Sequence, residues 1–340
     1  MHSVRWGIIG CGDVTEVKSG PGFQKADGSA LVAVMRRDGA KARDYARRHG
    51  VPRAYDRAEE LIADPEVDAV YIATPPSSHL ELAFRVASAG KPCLVEKPMA
   101  TSHAACVRMA DVFRQRGVPL WVAYYRRALP RFLTVRDLLR DGAIGRLTSV
   151  HVEVTAPVLT AEAIWRVDPA IAGGGLFFDL GSHCVDLVDF LCGPITKVAG
   201  FAHNTAGAYA AEDVTVAAFS TASGVAGTGC WNFNAPGKID VMTFVGTEGT
   251  LRTPIFSDTD VVVTRGSEVR AYDIRNPPHV HQPLIQSIVN ELRGQGRCES
   301  TAESGARASW VLEQCVMEYY GSRGPAAALR PGGGHAPVEG

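Results

Sequence analysis

The sequence has no surplus of charge of either sign. Its 35 basic and 36 acidic residues leave a formal net charge of -1 over 340 residues. Nucleic acids and anionic membrane surfaces attract proteins through strongly basic fields, so we expect neither to be the main partner. With 46% hydrophobic and 21% charged residues, the composition is typical of a globular protein. We therefore expect a hydrophobic core of normal size.

Long apolar segments and paired cysteines are also missing. No apolar run approaches the ~20 residues of a membrane span. Residues 1–6 lack the basic region and apolar stretch of a signal peptide. The eight cysteines are scattered without a Cys-x-x-Cys pair, which is typical of free thiols and not of a disulfide framework or a zinc site. We therefore expect a cytoplasmic protein without a metal.

The first part of the chain alternates short apolar runs with helix-like stretches. We predict strands at residues 4–9, 31–35, 69–73, 92–95 and 120–123. We predict helices at residues 40–49, 58–63, 78–89 and 102–116. Strands alternating with helices imply right-handed crossovers and a parallel sheet. This α/β pattern predicts a Rossmann-type, doubly wound domain for binding a dinucleotide over residues 1–124.

The pattern changes after residue 124 to long, closely spaced strands. We predict strands at residues 148–155, 197–202, 214–221, 225–232, 240–245, 258–264 and 268–274, with a turn at residues 246–251. We predict helices at residues 131–140, 182–191, 283–293 and 301–320. This pattern favours a second domain, over residues 125–320, with a mostly antiparallel sheet. Residues 321–340 are rich in glycine, proline and alanine, and we expect them to be a disordered tail.

A glycine loop follows the first predicted strand. Gly10 permits a tight turn, and Gly12 lets the backbone approach a pyrophosphate at the start of a helix. Asp13 and Val14 continue this loop, while Thr15 stands where the dinucleotide fingerprint has its third glycine. An ordinary turn between a strand and a helix is the alternative interpretation. The context, after a strand near the start of the sequence, favours dinucleotide binding.

The end of the second strand bears on the choice of cofactor. Arg36 and Arg37 stand where an enzyme that uses NAD usually places a carboxylate for the ribose hydroxyl. Arginine suits the 2′-phosphate of NADP. NADP is therefore the preferred cofactor. NAD is the alternative, with Arg36 and Arg37 on the surface and Asp38 at the ribose.

Further motifs, together with the glycine loop, resemble those of the Gfo/Idh/MocA family of glucose–fructose oxidoreductases and inositol dehydrogenases. They are Ala73-Thr74-Pro75-Pro76-Ser77-Ser78-His79, Glu96-Lys97-Pro98, Gly173-Gly174-Gly175 and Asp179-Leu180-Gly181-Ser182-His183. The resemblance covers roughly residues 4–320. It implies a Rossmann domain, a second α/β domain with a large, mostly antiparallel sheet, and homodimers or homotetramers that use the open face of that sheet. It also implies that an NAD(P)-dependent dehydrogenase or reductase acts on a secondary alcohol or carbonyl of a sugar, cyclitol or related diol.

The resemblance also assigns cofactor contacts. Thr74, Pro75 and His79 would lie along the cofactor. Glu96-Lys97-Pro98 would end the fifth strand at the nicotinamide, with a Lys97–Pro98 peptide that is often cis. Trp165-Arg166 resembles a pair that some members place over the cofactor or the substrate.

Three residues form the predicted catalytic set. Lys97 stands at the carboxyl end of a parallel strand, where it could exchange a proton with the reacting oxygen. Asp179 and His183 stand four residues apart, so a helix would place both on one face. His183 would then accept a proton and Asp179 would orient its ring. The alternative makes Asp179 a helix cap and His183 a buried structural histidine.

Weaker candidates surround this set. Tyr125 and Arg127 follow the last strand of the first domain and are candidate substrate contacts. Asp186, one helical turn after His183, is a third. His279 and His281 do not form a metal site in our interpretation, because two histidines at this spacing point to opposite faces of a strand. We expect them in a loop near the start of a helix.

Two other functions share these motifs. Some enzymes of the family hold their nicotinamide tightly and use a transient oxidation to cleave a glycosidic bond or eliminate a group. A non-catalytic regulator that senses dinucleotides could use the same fold. The candidate acid–base residues argue against the regulator, and net consumption of free cofactor would exclude the non-redox enzyme.

Overall fold

The computed structural model describes residues 3–159 and 165–321. Except for Gly321, the predicted tail lies outside the described residues. Within the described ranges, no helix is both long enough and apolar enough to cross a bilayer.

The first part of the chain forms a six-stranded parallel sheet. Its strands are β1 (Val4–Ile9), β2 (Ser29–Met35), β3 (Arg53–Tyr55), β4 (Ala69–Ile72), β5 (Cys93–Val95) and β6 (Leu120–Val122). The order is β3-β2-β1-β4-β5-β6, which confirms the predicted Rossmann sheet. The direction of winding reverses between β1 and β4, so a crevice opens at the carboxyl ends of these two strands. The short strand β3 was not predicted.

Six helices accompany this sheet. They are α1 (Asp13–Val17), α2 (Gly20–Lys25), α3 (Gly39–His49), α4 (Ala58–Ala63), α5 (His79–Ser88) and α6 (His103–Arg116). Helix α3 shows how the sequence sets their bounds. The Asp38 side chain accepts hydrogen bonds from the first turn, and Gly50, with a φ of 65°, ends the helix in the left-handed region. The helix expected after the glycine loop is α1, only five residues long, whereas the six-residue α2 was not predicted.

The second part of the chain forms an eight-stranded mixed sheet. Its strands are β7 (Leu147–Thr155), β8 (Ile195–His203), β9 (Val214–Thr221), β10 (Ala226–Asn232), β11 (Ile239–Gly246), β12 (Thr250–Thr253), β13 (Val261–Arg265) and β14 (Glu268–Tyr272). The order is β14-β13-β12-β11-β7-β10-β9-β8. Every neighbouring pair is antiparallel except β7 and β10. The predicted, mostly antiparallel sheet is confirmed, but β12 begins inside the segment that we predicted to be a turn.

One face of this sheet is covered by helices. The remaining helices are α7 (Pro130–Arg140), α8 (Pro169–Ala172), α9 (Ser182–Cys192), α10 (Gln282–Leu292) and α11 (Ala302–Tyr320). Helix α11 crosses β8 so closely that a Cβ on Gly200 would lie 2.9 Å from the Cα of Cys315. The opposite face exposes Phe201 and Val216, which are 55% and 40% accessible.

The chain returns to the first sheet near its end. The backbone of Val122 donates to the carbonyl of Ser300 at 3.1 Å, and Thr301 forms a bridge with Trp121. Glu313 of α11 accepts a hydrogen bond of 2.6 Å from the backbone of His103 at the start of α6. The boundary at residue 124 stays a prediction, and these contacts join segments from both sides of it.

Candidate active site

Lys97 lies at the carboxyl edge of the parallel sheet, two residues after β5. Its Nζ donates to the carbonyl oxygen of Asp179 at 2.8 Å and also contacts the carboxylate of that residue. The side chains of Lys97 and Asp179 are 13% and 18% exposed, so the ion pair borders a cleft between the two sheets. The Lys97–Pro98 peptide is cis, as the resemblance implied.

Asp179 supports Lys97 and does not orient His183, so the predicted role of Asp179 is wrong. Residues Phe177–Gly181 form a π-helical turn. The carboxylate at this turn is engaged by two cations, Lys97 and Arg166, and not by the ring of His183. Arg166 places its Nε 3.4 Å from the second carboxylate oxygen. Although burial opposes it, the charges of Lys97 and Arg166 hold the pKa of Asp179 below its ordinary value, so the carboxylate is ionised.

His183 is buried among aromatic rings beside this ion pair. The ring centroids of Tyr125 and Phe256 lie 5.3 and 6.2 Å away. Burial lowers the pKa of His183 well below its ordinary value, and the positive charges of Arg126 and Lys97 lower it further. The imidazole is therefore neutral at pH 7. Its Nδ1 has no hydrogen-bond partner among the described residues.

His281 also lies at this site, which the sequence analysis missed. Its ring stacks on Tyr125 with a centroid distance of 4.3 Å, and its Nδ1 lies 3.7 Å from the Glu96 carboxylate. Burial lowers the pKa of His281 to about 3. His281 does precede a helix, as predicted, but nothing in the local sequence indicates that the chain returns here. Among the described residues, no group of His, Cys, Asp and Glu side chains could hold a metal ion.

Glu96 and His79 are buried next to the site and form hydrogen bonds with its backbone. Glu96 is buried, accepts a hydrogen bond from the backbone of Lys97 at 3.1 Å and contacts the hydroxyl of Tyr71. His79 is fully buried, with its ring nitrogens 2.7 Å from the carbonyl of Thr74 and 3.2 Å from that of Pro98. The prediction that His79 lies along the cofactor is therefore wrong, because its ring ties two backbone loops together inside the protein.

The glycine loop forms a cradle open to solvent. Gly10 has a φ of 93°, and a Cβ there would lie 2.7 Å from the Cγ2 of Thr74. A Cβ on Gly12 would meet no atom nearer than 3.9 Å, so space remains in front of its backbone. This space fits the close approach of a dinucleotide pyrophosphate. Partly exposed Thr74 and Pro75 border the same edge.

The rest of the loop is held by hydrogen bonds. Thr15 is fully buried and donates through its Oγ1 to the carbonyl of Gly12 at 2.7 Å. It therefore closes the turn where the fingerprint has a third glycine. Asp13 and Val14 follow in the first turn of α1, exposed and partly exposed respectively.

Arg36 lies beside this cradle. Its Nη1 donates to the carbonyl of Cys11 at 3.3 Å, and Arg37 next to it is exposed. Asp38 instead accepts hydrogen bonds of 3.1 and 3.2 Å from the backbone of Ala40 and Lys41. The carboxylate that could bind a ribose hydroxyl is thus engaged in capping α3.

Trp165 and Arg166 lie together at the cleft. The guanidinium of Arg166 lies 4.6 Å from the centroid of the Trp165 ring, in addition to its contact with Asp179. The neighbouring residues 160–164 lie outside the described residues.

Arg127 and Asp186 do not face the cleft, which corrects their prediction as substrate contacts. The guanidinium of Arg127 donates to both carboxylate oxygens of Asp186 at 2.7–3.0 Å and to Asp189 at 3.0 Å. Arg307 closes the group by donating to Asp189 at 2.7 and 2.8 Å. We call these four side chains the Arg127 network. Tyr125, in contrast, remains at the cleft, where its hydroxyl accepts a 2.8 Å hydrogen bond from Arg126.

Comparisons with known proteins agree with this geometry. Residues 4–124 match the family described as "Oxidoreductase family, NAD-binding Rossmann fold", and residues 132–252 match the "GFO/IDH/MocA C-terminal domain". An oxidoreductase of Formosa agariphila is 35% identical over 316 residues, which cover 91% of this chain and 97% of the relative. The 1,5-anhydro-D-fructose reductase of Ensifer adhaerens is 27% identical, over 91% and 93% of the two chains.

A solved structure of levoglucosan dehydrogenase, in complex with NADH and levoglucosan, superposes with a TM-score of 0.82. It is 21% identical and covers 93% of this chain and 96% of its own. At that identity the likeness is one of fold.

Proposed function

The chain belongs to the Gfo/Idh/MocA family of oxidoreductases, and we propose that it transfers hydride between NAD(P) and a secondary alcohol or carbonyl of a sugar, cyclitol or related diol. The observation that carries this proposal is the ion pair of Lys97 with Asp179 at the carboxyl edge of the parallel sheet. The dinucleotide cradle opens at the same edge. The related reductase of anhydrofructose supports a sugar-like substrate.

The residues present fit a dinucleotide. Gly10 and Gly12 would admit the pyrophosphate, Thr74 and Pro75 would border it, and Trp165 and Arg166 would lie near the nicotinamide end. A nicotinamide bound there would accept or supply the hydride.

Lys97 would handle the proton. In the reducing direction its ammonium gives a proton to the oxygen that becomes the product hydroxyl, and in the oxidising direction the neutral amine takes that proton back. Asp179 and Arg166 orient the amine through the contacts described above. His183 is neutral, so it would bind the substrate oxygen by a hydrogen bond and not as a charged acid.

We propose NADP as the preferred cofactor. Arg36 and Arg37 stand at the end of β2, where a guanidinium suits a 2′-phosphate. The competing carboxylate of Asp38 caps α3. NAD remains the alternative, and kcat/KM measured with both cofactors decides between them.

We also propose that the protein is a homodimer or homotetramer. The open face of the eight-stranded sheet exposes Phe201 and Val216 side by side with small residues, and contiguous apolar patches are rare on monomers. A second copy would cover this face. Light scattering after size-exclusion chromatography tests this, and Phe201→Glu should shift the mass towards the monomer.

A cytoplasmic location fits the cysteines. All eight are free, and seven of them are buried, a pattern expected in a reducing compartment.

The primary test is the change in nicotinamide absorbance when purified protein is offered NADP or NAD with a panel of sugars, cyclitols and diols. Turnover that is stoichiometric with product and lost in Lys97→Met supports the oxidoreductase. Product formation without net consumption of cofactor supports the enzyme with tightly held NAD. Cofactor binding without any turnover supports the regulator.

A further inference from the structure

Four cationic side chains lie at the cleft, near Asp179 or His183. Lys97 and Arg166 contact the carboxylate of Asp179. Lys18 and Arg126 have no carboxylate within 4.0 Å among the described residues. We call Lys18, Lys97, Arg126 and Arg166 the cation cluster. It leaves the cleft with a surplus of positive charge, although the whole chain has almost none.

Among the members of this cluster, Arg126 is the one whose charge is least favourable in free energy when no anion is bound. It is only 6% exposed. Its Nε donates to the carbonyl of Ile255 at 3.0 Å, its Nη1 donates to the hydroxyl of Tyr125, and its guanidinium lies 4.6 Å from the ring centroid of Phe256. All of these partners are neutral. A buried charge without a counter-charge is strongly unfavourable, so this position favours an anionic ligand.

Lys18 faces the cleft and not the glycine loop. It follows α1 at the end opposite the loop, ~7 Å along a five-residue helix. Its carbonyl accepts a 3.2 Å hydrogen bond from the backbone of His281, and the ring of His279 lies 2.7 Å from the carbonyl of Val17. Burial raises the pKa of Asp179, but the charges of Lys97 and Arg166 and, to a smaller extent, of Lys18 lower it, so Lys18 lies close enough to act on this carboxylate. Lys18 is therefore positioned for the substrate and not for the pyrophosphate.

We propose that the substrate carries a carboxylate, which Lys18 and Arg126 bind while the reacting hydroxyl or carbonyl lies at Lys97. This inference rests on the proposed function and narrows its substrate to polyhydroxy carboxylates, such as aldonates and uronates. The carboxylate is unchanged by the reaction. In the oxidising direction the hydroxyl carbon would lose a hydride to a bound NAD(P)+, and the hydroxyl oxygen would lose its proton to the neutral amine of Lys97.

The test compares two ligands that differ at one carbon. D-Gluconate carries a carboxylate where D-glucitol carries a hydroxymethyl group. Their binding to the enzyme saturated with reduced cofactor is measured by calorimetry, with malonate as a simpler anion. We expect gluconate to bind about tenfold or more tightly than glucitol at low salt, and we expect the difference to shrink as salt screens the charges.

Lys18→Gln is the main variant, because an exposed lysine can be replaced without loss of folding. We expect it to weaken gluconate binding about three- to tenfold and to leave glucitol binding unchanged. The matched control is Lys25→Gln, an exposed lysine at the end of α2 that should change neither. Arg126→Lys keeps the charge but loses the planar fork, and it should weaken gluconate binding at least as much as Lys18→Gln.

The outcomes separate this inference from the proposed function. Gluconate binding that depends on Lys18 but is followed by no hydride transfer supports the carboxylate site and contradicts the oxidoreductase. Turnover of neutral polyols with equal binding of gluconate and glucitol supports the oxidoreductase and contradicts the carboxylate site. Failure of both gluconate and malonate to bind, or a loss of cofactor affinity alone in Lys18→Gln, overturns the carboxylate site.

Discussion

Arg126 and Arg127 are neighbours in the chain, and each is 6% exposed, yet their surroundings differ completely. Arg127 lies in a network of two arginines and two aspartates whose charges cancel. Arg126 is met by a carbonyl, a phenol and two aromatic rings. The 3₁₀ turn Tyr125–Ala128 sends the two side chains to different neighbours.

The difference separates charges that hold the protein together from charges that are available to a ligand. Removing one partner from a buried, closed network leaves an uncompensated charge and costs stability. Removing Lys18 or Arg126 takes away a charge that no carboxylate of the described residues neutralises, so function should suffer more than stability. The predictions below test this separation.

Lys97→Met should have the largest effect, on activity alone. Loss of the proton-transferring group should lower kcat by about 10²–10⁴-fold. Urea unfolding should change little, because Asp179 retains Arg166. Lys25→Met serves as the control for both measurements. A large loss of stability with normal turnover would show that the charge of Lys97 stabilises the fold and does not serve catalysis.

Arg127→Met should mainly lower the stability of the protein. It leaves the buried carboxylate of Asp186 without a cation, although Asp189 keeps Arg307, so the free energy of unfolding in urea should fall by about 3–5 kcal/mol. Arg126→Met removes a charge that has no counter-ion in the part of the chain that the structure describes, so its loss of unfolding free energy should be clearly smaller. If the two variants lose equal stability, the distinction between the neighbouring arginines fails.

Glu212 is a buried carboxyl group with no cation in contact among the described residues. We expect it to be protonated in the folded protein, so that no negative charge is buried. It accepts hydrogen bonds from the backbone of Gly175 at 2.8 Å and from the hydroxyl of Tyr320. Burial raises the pKa of Glu212 to about 7. A raised folded pKa means that its stabilising contribution is complete below the ordinary pKa near 4.5 and is lost as the pH rises through 7.

Glu212→Gln should remove this pH dependence. Between pH 5 and 8 the unfolding free energy of the wild type should fall relative to the variant by at most roughly 3 kcal/mol. Thermal or urea unfolding across this range measures it. Parallel curves for the two proteins would show that Glu212 stays ionised in the fold.

Arg36→Ala should have the smallest effect, confined to one cofactor. Loss of a charge-assisted hydrogen bond to the 2′-phosphate should lower kcat/KM for NADP about tenfold and leave NAD unchanged. Arg43→Ala, an exposed arginine on α3, is the matched control. An equal loss with both cofactors would contradict the NADP preference.

Local patterns predicted most of the fold. Apolar runs marked β1 and β9 to the residue, and the family motifs pointed to Lys97. Strand β12 was not predicted because four residues directly after a glycine-containing turn are too few to show an alternating pattern.

The pairings at the site were not predictable from local sequence. Arg127 and Asp186 stand 59 residues apart, and no spacing rule joins them. The Asp179 carboxylate pairs with Lys97, 82 residues away in the chain, and no local pattern indicates that contact. His281 reaches the site only because the end of the chain returns to its beginning.

That return gives the site an order of assembly during synthesis. Lys18 and Lys97 leave the ribosome early, whereas His281 and the segment that pairs with β6 emerge near the end of the described chain. A nascent chain can therefore form the strands of its nucleotide-binding sheet long before it can complete a cleft able to act on a substrate. Premature termination anywhere before residue 281 would yield a chain without a finished active site.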